Sequence, residues 1–359
     1  MEQATLQKTP LYDACVKAGG KMVDFHGWDL PIQFEGIIAE HKAVRESAGF
    51  FDVSHMGEIW FEGPDAHKLL QTIATNNFKN VPGAGAYSHV LTEQGGIIDD
   101  IIAFCLTPEK FLLVVNSANK DKDFAWFQKQ AKGFNVKVTD ASADYAMLAL
   151  QGPKALGILE QLDANIKELP RFNIKAAQIF GADVYITRTG YTGEDGVEIM
   201  GSGETINKLF AWALQNGFKP CGLGSRDVLR LEAGYLLAGN DVDETHTPYE
   251  AGYGWVVKLK KDVDFIGKPA MVKQKEEGPK VTLRGFKITG GVAREGAAVF
   301  DKDGKEIGKL TSATFSPLFK AIAAGYAPAG LGEGAEVFVD VRGRKVQAVA
   351  VKLPFYKVL

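Results

Sequence analysis

The sequence predicts an α+β protein: a mixed region of strands and helices over residues 1–265, then an antiparallel β-barrel or sandwich over residues 280–359. Three observations carry that prediction. An apolar, β-branched run at 97–106 is returned by the turn Thr107-Pro108-Glu109-Lys110 into a second apolar run at 111–115, which is the pattern of an antiparallel hairpin. Helical periodicity appears between such strands, at 36–47, 65–73 and 202–216. From about Val281 the texture changes to short alternating runs (VTLRGFKI, AAVF, DKDGKEIGKL, AEVFVDVRGRKVQAVAV) with hairpin turns at Asp303-Gly304 and Arg342-Gly343.

Taken in order, Thr9-Pro10-Leu11-Tyr12 opens a segment that passes Gly27-Trp28 and Leu30-Pro31 and is too punctuated for a long helix. Residues 36–47 place Ile37, Ile38 and Val44 at helical intervals and stop before Gly49. A strand is expected over 50–61, and a helix over 65–73 capped around Pro64-Asp65. Strands follow at 87–91, 97–106 and 111–115, then a helix near 122–132. Strands at 145–150 and 184–188 flank helical stretches at 153–162 and 166–169. The glycine-rich turn Gly190-Tyr191-Thr192-Gly193-Glu194-Asp195-Gly196 feeds a strand at 197–200. Beyond it an amphipathic helix at 202–216 carries Ile206, Leu209, Phe210 and Leu214 on one stripe. Ser225 is placed to cap the next helix and Gly234 to end it, with Arg226 and Arg230 four apart on one face. Residues 267–279 are the expected link to the barrel.

The chemistry concentrates in Gly95-Gly96-Ile97-Ile98-Asp99-Asp100-Ile101-Ile102-Ala103-Phe104. Strand alternation puts Ile98, Asp100, Ile102 and Phe104 on one face, and Ile97, Asp99, Ile101 and Ala103 on the other. Neither aspartate escapes an apolar neighbourhood. An ionised carboxylate there costs several kcal/mol unless it is paired, hydrogen-bonded or facing a wet cavity. One of the two is expected to be structural and the other functional, and the strand pattern does not say which. The hairpin register is also open: if Leu106 faces Phe111, Asp100 lies opposite Ser117, and a slip of one sets it opposite Asn116. Glu198, between Val197 and Ile199, repeats the theme of a carboxylate in an apolar frame, though taken alone it reads as an outward-facing residue of an edge strand. Arg226 or Arg230 can meet a carboxylate, the common alternative being a surface pair with Asp227 or Glu232.

Composition narrows the function classes. The 359 residues are 46% hydrophobic and 24% charged with 40 glycines, which describes a turn-rich soluble protein with room for a large core. A formal charge of −3 gives no general attraction for nucleic acid or an anionic membrane, so an anionic ligand must be held by a few placed cations. Met1-Glu2-Gln3-Ala4-Thr5 has neither a basic segment nor an apolar core, so no signal peptide is expected, and no run approaches the roughly 18 to 20 apolar residues of a membrane span. Cys15, Cys105 and Cys221 are widely separated, which points to a reducing cytoplasm and to buried hydrophobes rather than disulfides. There is no GxGxxG after a strand and no GxxxxGKS, so no nucleotide is expected. The six histidines show no ligand spacing, so no metal is expected either. Ser54-His55 is not a catalytic pair, because neighbouring strand residues point to opposite faces.

Eight stretches, in order, resemble the glycine cleavage system T-protein family. They are Thr9-Pro10-Leu11-Tyr12, Met22-Val23-Asp24-Phe25-His26-Gly27-Trp28, Phe51-Asp52-Val53-Ser54-His55-Met56, Gly95-Gly96-Ile97-Ile98-Asp99-Asp100, Val115-Asn116-Ser117-Ala118, Gly190-Tyr191-Thr192-Gly193-Glu194, Arg226-Asp227-Val228-Leu229-Arg230-Leu231-Glu232-Ala233-Gly234 and Thr314-Phe315-Ser316-Pro317. The resemblance implies an aminomethyltransferase: the aminomethyl group on the lipoyl arm of H protein passes to tetrahydrofolate as co-substrate, giving methylenetetrahydrofolate, ammonia and dihydrolipoyl H protein. It implies two intertwined folate-binding subdomains, one discontinuous in sequence, and a C-terminal barrel, three domains around a central cavity. It assigns the functional aspartate to Asp100, and folate contacts to Asn116, Glu198, Arg226 and Tyr235, with Tyr87 and Trp255 as aromatic walls and Tyr356 as a further contact. Where the family often carries an aromatic this chain has Ala238, which implies a roomier pocket on that side. Glu198 with Asn116 suits the donors of a pterin edge, Arg226 suits the folate glutamate, and Asp100 is expected to polarise, or accept a proton from, the attacking pterin nitrogen and to stabilise the cationic centre. Two rivals are weighed: the folate half of a sarcosine or dimethylglycine oxidase, which would bring a flavin domain, and a non-enzymatic folate-binding protein of the iron–sulfur assembly type, whose cysteine motif is absent from Ala233-Gly234-Tyr235-Leu236-Leu237-Ala238-Gly239-Asn240.

Overall fold

The punctuated N-terminal stretch resolves into the short helix Tyr12–Lys17 and a two-stranded ribbon, Lys21–Phe25 with Trp28–Gln33. The structure is a computed structural model and describes residues 5–356; residues 1–4, on which most of the N-terminal reading rests, and 357–359 lie outside the described residues.

The single strand expected over 50–61 is two, Gly49–Asp52 and Gly57–Glu62, and they belong to different sheets. The break has a local cause. Asp52 accepts from the Ser54 amide at 3.0 Å, and the Ser54 hydroxyl donates to the carbonyl of Met147 and accepts from its amide, at 3.2 and 2.9 Å, which pulls the chain out of its extended course.

Gly57–Glu62 sits in a five-stranded antiparallel sheet, in the order Gly85–Leu91, Ile97–Thr107, Lys110–Val115, Gly57–Glu62, Lys137–Asp140. Gly49–Asp52 sits in a six-stranded sheet, in the order Ile174–Ile179, Ala182–Thr187, Gly196–Gly201, Ala146–Gln151, Gly49–Asp52, Lys219–Pro220, antiparallel except for the last pair. The two sheets repeat one connectivity: strand, helix, three-stranded meander returning to pair with that strand, second helix, outer strand. Gly63-Pro64-Asp65-Ala66 and Gly152-Pro153-Lys154-Ala155 mark the repeat, each glycine at a positive φ (138° and 130°) where a Cβ would lie 2.5 Å from a backbone carbonyl oxygen. Gly49–Asp52 breaks the symmetry by wedging between two strands of the second copy.

Helices cover the outer face of each sheet, and the inner faces meet through Phe51, Trp60, Phe104, Leu112, Met147 and Met200. Strands covered on both sides need apolar residues on both sides, which is why 97–106 reads as a nearly continuous hydrophobic run. In its hairpin Ile102 pairs with Val114 and Phe104 with Leu112, and the register shifts between Cys105 and Thr107. That bulge puts Cys105 rather than Leu106 opposite Phe111. Continued two residues toward the glycines, the pairing sets Asp100 opposite Asn116.

Ser225 is not a cap: the next helix is Leu223–Glu232, entered from Gly222, and Ser225 is buried inside it, donating to Glu40 at 3.1 Å. The link at 267–279 is itself the helix Lys268–Glu277. Beyond it six strands close a barrel, in the order Val281–Ile288, Lys320–Pro328, Glu306–Ser316, Ala298–Phe300, Glu336–Val341, Arg344–Val351. The alternatives of barrel and sandwich therefore resolve as a barrel. The alanine-rich Lys320–Pro328 is a strand that alternation alone does not reveal. The barrel packs on the rest of the chain through Leu231, Leu236, Val242, Leu283, Ile322 and Tyr326.

Candidate functional site

A cavity of about 960 Å³ lies between the two sheets, the Leu223–Glu232 helix and the barrel, whose Thr311, Ser312 and Ala313 form part of its wall. That is room for a ligand of several rings.

The strand at its edge divides as alternation requires. Asp100 and Ile102 line the cavity, while Asp99 is fully buried on the opposite face. Asp99 accepts from the amide and side chain of Asn116, both at 3.0 Å, and from Asn119 at 2.6 Å. Asp123, equally buried, lies against it. Burial first, and then the charge of Asp99, push the Asp123 carboxyl well up. Asp100 accepts from Tyr87 Oη at 2.9 Å and from Asn116 Nδ2 at 2.8 Å. Burial and then the charge of Asp99 raise the Asp100 carboxyl above the ordinary carboxylate range, and those two hydrogen bonds work against the rise. Such a carboxylate is a base poised to accept a proton.

Asn116 is thus the clasp of the aspartate pair. Its Nδ2 serves Asp99, the Asp100 carboxylate and the Asp100 carbonyl, leaving Oδ1 as an acceptor toward the cavity it lines. Glu198 does not lie on an edge strand: Gly196–Gly201 runs between two partners, and Glu198 lines the cavity with one oxygen accepting from Thr189 at 2.5 Å.

The two arginines of the Leu223–Glu232 helix part company. Arg230 is taken by Asp241 and Asp227, at 2.5 and 2.8 Å, and by Ser312 at 2.7 Å. Arg226 lines the cavity with its guanidinium 4.7 Å from the Tyr191 ring, and its buried Nη1 has no hydrogen-bond partner. A buried N–H of a cation without an acceptor costs on the order of 1–3 kcal/mol, which an anionic ligand group would relieve. Beside it His55 is pushed down to about 3 by burial and then by Arg226 and His26, so it is neutral in the cavity wall.

Aromatic rings complete the wall. Tyr87 stacks on Trp255 with centroids 5.9 Å apart, Trp255 standing 55% exposed at the rim, and Tyr235 stacks on Tyr191 at 5.8 Å. Tyr356 does not line the cavity. Its ring lies over Arg45 at 3.9 Å and its amide donates to the Glu232 carbonyl at 2.7 Å. The lining residues Tyr191, Tyr253, His55 and Phe172 escape sequence reasoning as site residues; Tyr191, inside the glycine-rich turn, and His55, inside Phe51-Asp52-Val53-Ser54-His55-Met56, lay in stretches that carried a signal. Ala238 lines the cavity as well. Among the described residues no group of three or more His, Cys, Asp or Glu side chains is arranged to hold a metal ion.

Comparison with known proteins places this geometry. The model of the GCVT N-terminal domain matches residues 11–261, and that of the glycine cleavage T-protein C-terminal barrel domain matches residues 282–357. The chain is 44% identical over 359 residues to the aminomethyltransferase of Pseudothermotoga lettingae, with 98% of each chain covered, and 45% identical over 353 residues to that of Staphylococcus saprophyticus, with 97% of each covered. It is also similar to the crystal structure of glycine cleavage system aminomethyltransferase T from Bartonella henselae, with a TM-score of 0.92, 37% identity, and 98% of this chain and 99% of that one covered.

Proposed function

The chain belongs to the glycine cleavage T-protein family, and from that premise we infer that it is a tetrahydrofolate-dependent aminomethyltransferase, moving a methylene group from an aminomethyl donor to tetrahydrofolate with release of ammonia. The non-enzymatic alternative is not favoured, because relatives matched over nearly their whole length are named as this enzyme. We propose that the donor is the lipoyl arm of an H protein. No helix among the described residues is long and apolar enough to cross a membrane, and the three unpaired, buried cysteines suit a reducing cytoplasm.

The observation that carries the site assignment is the presence, around one cavity, of a half-buried carboxylate with raised pKa at Asp100 and of Arg226, whose buried Nη1 has no hydrogen-bond partner. Residues 1–265 would hold the folate, with 280–359 as the barrel closing its side. Arg226 would take the glutamate carboxylate, Glu198 and the Oδ1 of Asn116 the donors of the pterin edge, and Tyr87, Tyr235 and Trp255 the ring faces. Tyr356 would act indirectly, through Arg45. The bound reduced pterin supplies the nucleophilic nitrogen. Asp100 accepts the proton released there, and its charge faces the positive charge that develops at the transferring carbon.

The test is methylenetetrahydrofolate formation from aminomethylated H protein and tetrahydrofolate, with folate binding followed by calorimetry. Asp100→Asn is expected to keep the binding and to lose turnover by about 10²-fold or more. Unchanged turnover in that variant would sink the assignment of Asp100.

A further inference from the structure

His89 is the one imidazole that touches the hydrogen-bond system of Asp100, and nothing in the proposed chemistry uses it. It is fully buried, does not line the cavity, and is the direct cross-strand partner of Asp100. Its Nε2 lies 3.1 Å from Tyr87 Oη, the hydroxyl that donates to Asp100 at 2.9 Å.

The bookkeeping of protons fixes the direction of this chain. A phenol has one hydrogen, and if Tyr87 gives it to the Asp100 carboxylate, the Tyr87 oxygen must accept from His89. The other ring nitrogen decides the same way. Nδ1 of His89 is buried without any hydrogen-bond partner. An N–H there would be an orphaned donor, which is costlier than an orphaned lone pair, so the proton sits on Nε2.

The groups around the pair leave this arrangement in place. Facing His89 are Tyr87 from its own strand, Asp100 from the partner strand and Tyr253 from the 253–256 segment, whose ring centroid is 5.7 Å away. Facing Asp100 are Asp99 and Asp123 from behind, Tyr87 beside it, and Tyr191 and Tyr253 nearby. None of these offers Tyr87 a competing donor.

We propose that His89 is a positioning residue for the transfer reaction, its Nε2–H donating to Tyr87 so that the Tyr87 hydroxyl keeps its proton and points it at Asp100, and the carboxylate is kept both oriented and ionised. The proposal rests on Asp100 being the reacting base. Donation into the phenol oxygen strengthens the phenol as a donor, because linked hydrogen bonds polarise one another. Burial keeps His89 neutral, so the relay is present throughout the working pH range.

Removing the donor without removing the ring separates this role from packing. In His89→Phe, the acid limb of the kcat/KM profile is expected to move up by about half a pH unit and kcat to fall about fivefold, with KM for tetrahydrofolate within twofold. His89→Gln, which retains an N–H, should return the acid limb toward the wild-type position. A double-mutant cycle is decisive: in a Tyr87→Phe background His89→Phe should have no further effect on the acid limb, whereas a packing role would add. The acid limb of His89→Phe coinciding with that of the wild type, or additivity in the cycle, overturns the proposal. If the variants do not fold, nitrogen-15 NMR of the wild type answers instead, an Nε2–H tautomer supporting the relay and an Nδ1–H tautomer refuting it. Asp100→Asn is run alongside. Retained turnover there is a failure of the base assignment, whereas lost turnover there with an unmoved acid limb in His89→Phe is a failure of the relay alone.

Discussion

Arg226 and Arg230 stand one turn apart on the same helix, yet one is occupied and the other waits. The difference comes from Asp241, eleven residues beyond Arg230, whose carboxylate closes a buried pair with it. Arg226 has only stacking and a distant field to offset its burial, which eases its pKa downward while Glu198 holds it up. Arg226→Gln is therefore expected to raise KM for tetrahydrofolate about 10- to 100-fold, the cost of losing a charge-assisted contact, while kcat changes by less than about threefold. Steady-state kinetics at varied folate check this, and an unchanged KM would move the anion contact elsewhere. The sequence put both arginines on one face but not which was free, because loop 233–241 folds back over the helix by contacts no local pattern announces. Asp99 and Asp100 show the same limit. Alternation assigned them to opposite faces without saying which face meets the cavity, and the distant partners of those faces make the difference: Asn119 and Asp123 enclose Asp99, while Asp100 lines the cavity.

At the level of elements, the strand that carries Asp100 is anchored by the two glycines before it. Gly96 is there for space rather than for backbone freedom: a Cβ on it would lie 1.8 Å from the carbonyl oxygen of Glu244, where the 243–246 loop crosses and Ile97 donates to the carbonyls of Asp243 and His246. Gly96→Ala must push that loop away. We expect a loss of about 1–3 kcal/mol in unfolding free energy and a drop in kcat as Asp100 shifts, measured by denaturant titration and turnover. Most strands and helices were legible from periodicity, among them the amphipathic helix expected over 202–216 and found at Gly203–Gln215. What escaped was whatever depends on distant pairing. Glu198 read as an edge residue because strand order is invisible locally, and the repeat of the two sheets escaped because only one short Gly-Pro-x-Ala echo survives in the sequence. The bulge near Leu106 shifted the hairpin by one residue, the error to which a period of two is most sensitive.

Across the whole molecule, Glu232 ties the parts together. Its carboxylate, fully buried, accepts from His41 and Arg45 of the Ile37–Glu46 helix and from Ser316 of the barrel, at 2.8, 2.7 and 2.5 Å, while Arg45 also reaches Glu194 in the glycine-rich turn at 2.9 Å. Against the burial that would raise it, the bonds from His41 and Ser316 hold the Glu232 carboxyl below its ordinary value. Its stabilising contribution is thus complete above the unfolded pKa and is lost as pH falls through the lower folded one. Glu232→Ala leaves Arg45 buried with one partner fewer, and is expected to cost about 3–5 kcal/mol near neutral pH, with the gap to wild type narrowing in acid. Thermal unfolding across pH tests both the size and the trend.

The wedged strand Gly49–Asp52 has a consequence for how the chain is made. Its neighbours are Ala146–Gln151 and Lys219–Pro220, both synthesised long after it, whereas every strand of the sheet between, from Gly57–Glu62 to Lys137–Asp140, finds its partners within that stretch. As the polypeptide leaves the ribosome the intervening sheet can close first, and Gly49–Asp52 must wait, its apolar side chains bare, for roughly a hundred residues of further translation. The order of emergence is written into the topology: the wall that bears Asp100 is set before the wall that faces it exists.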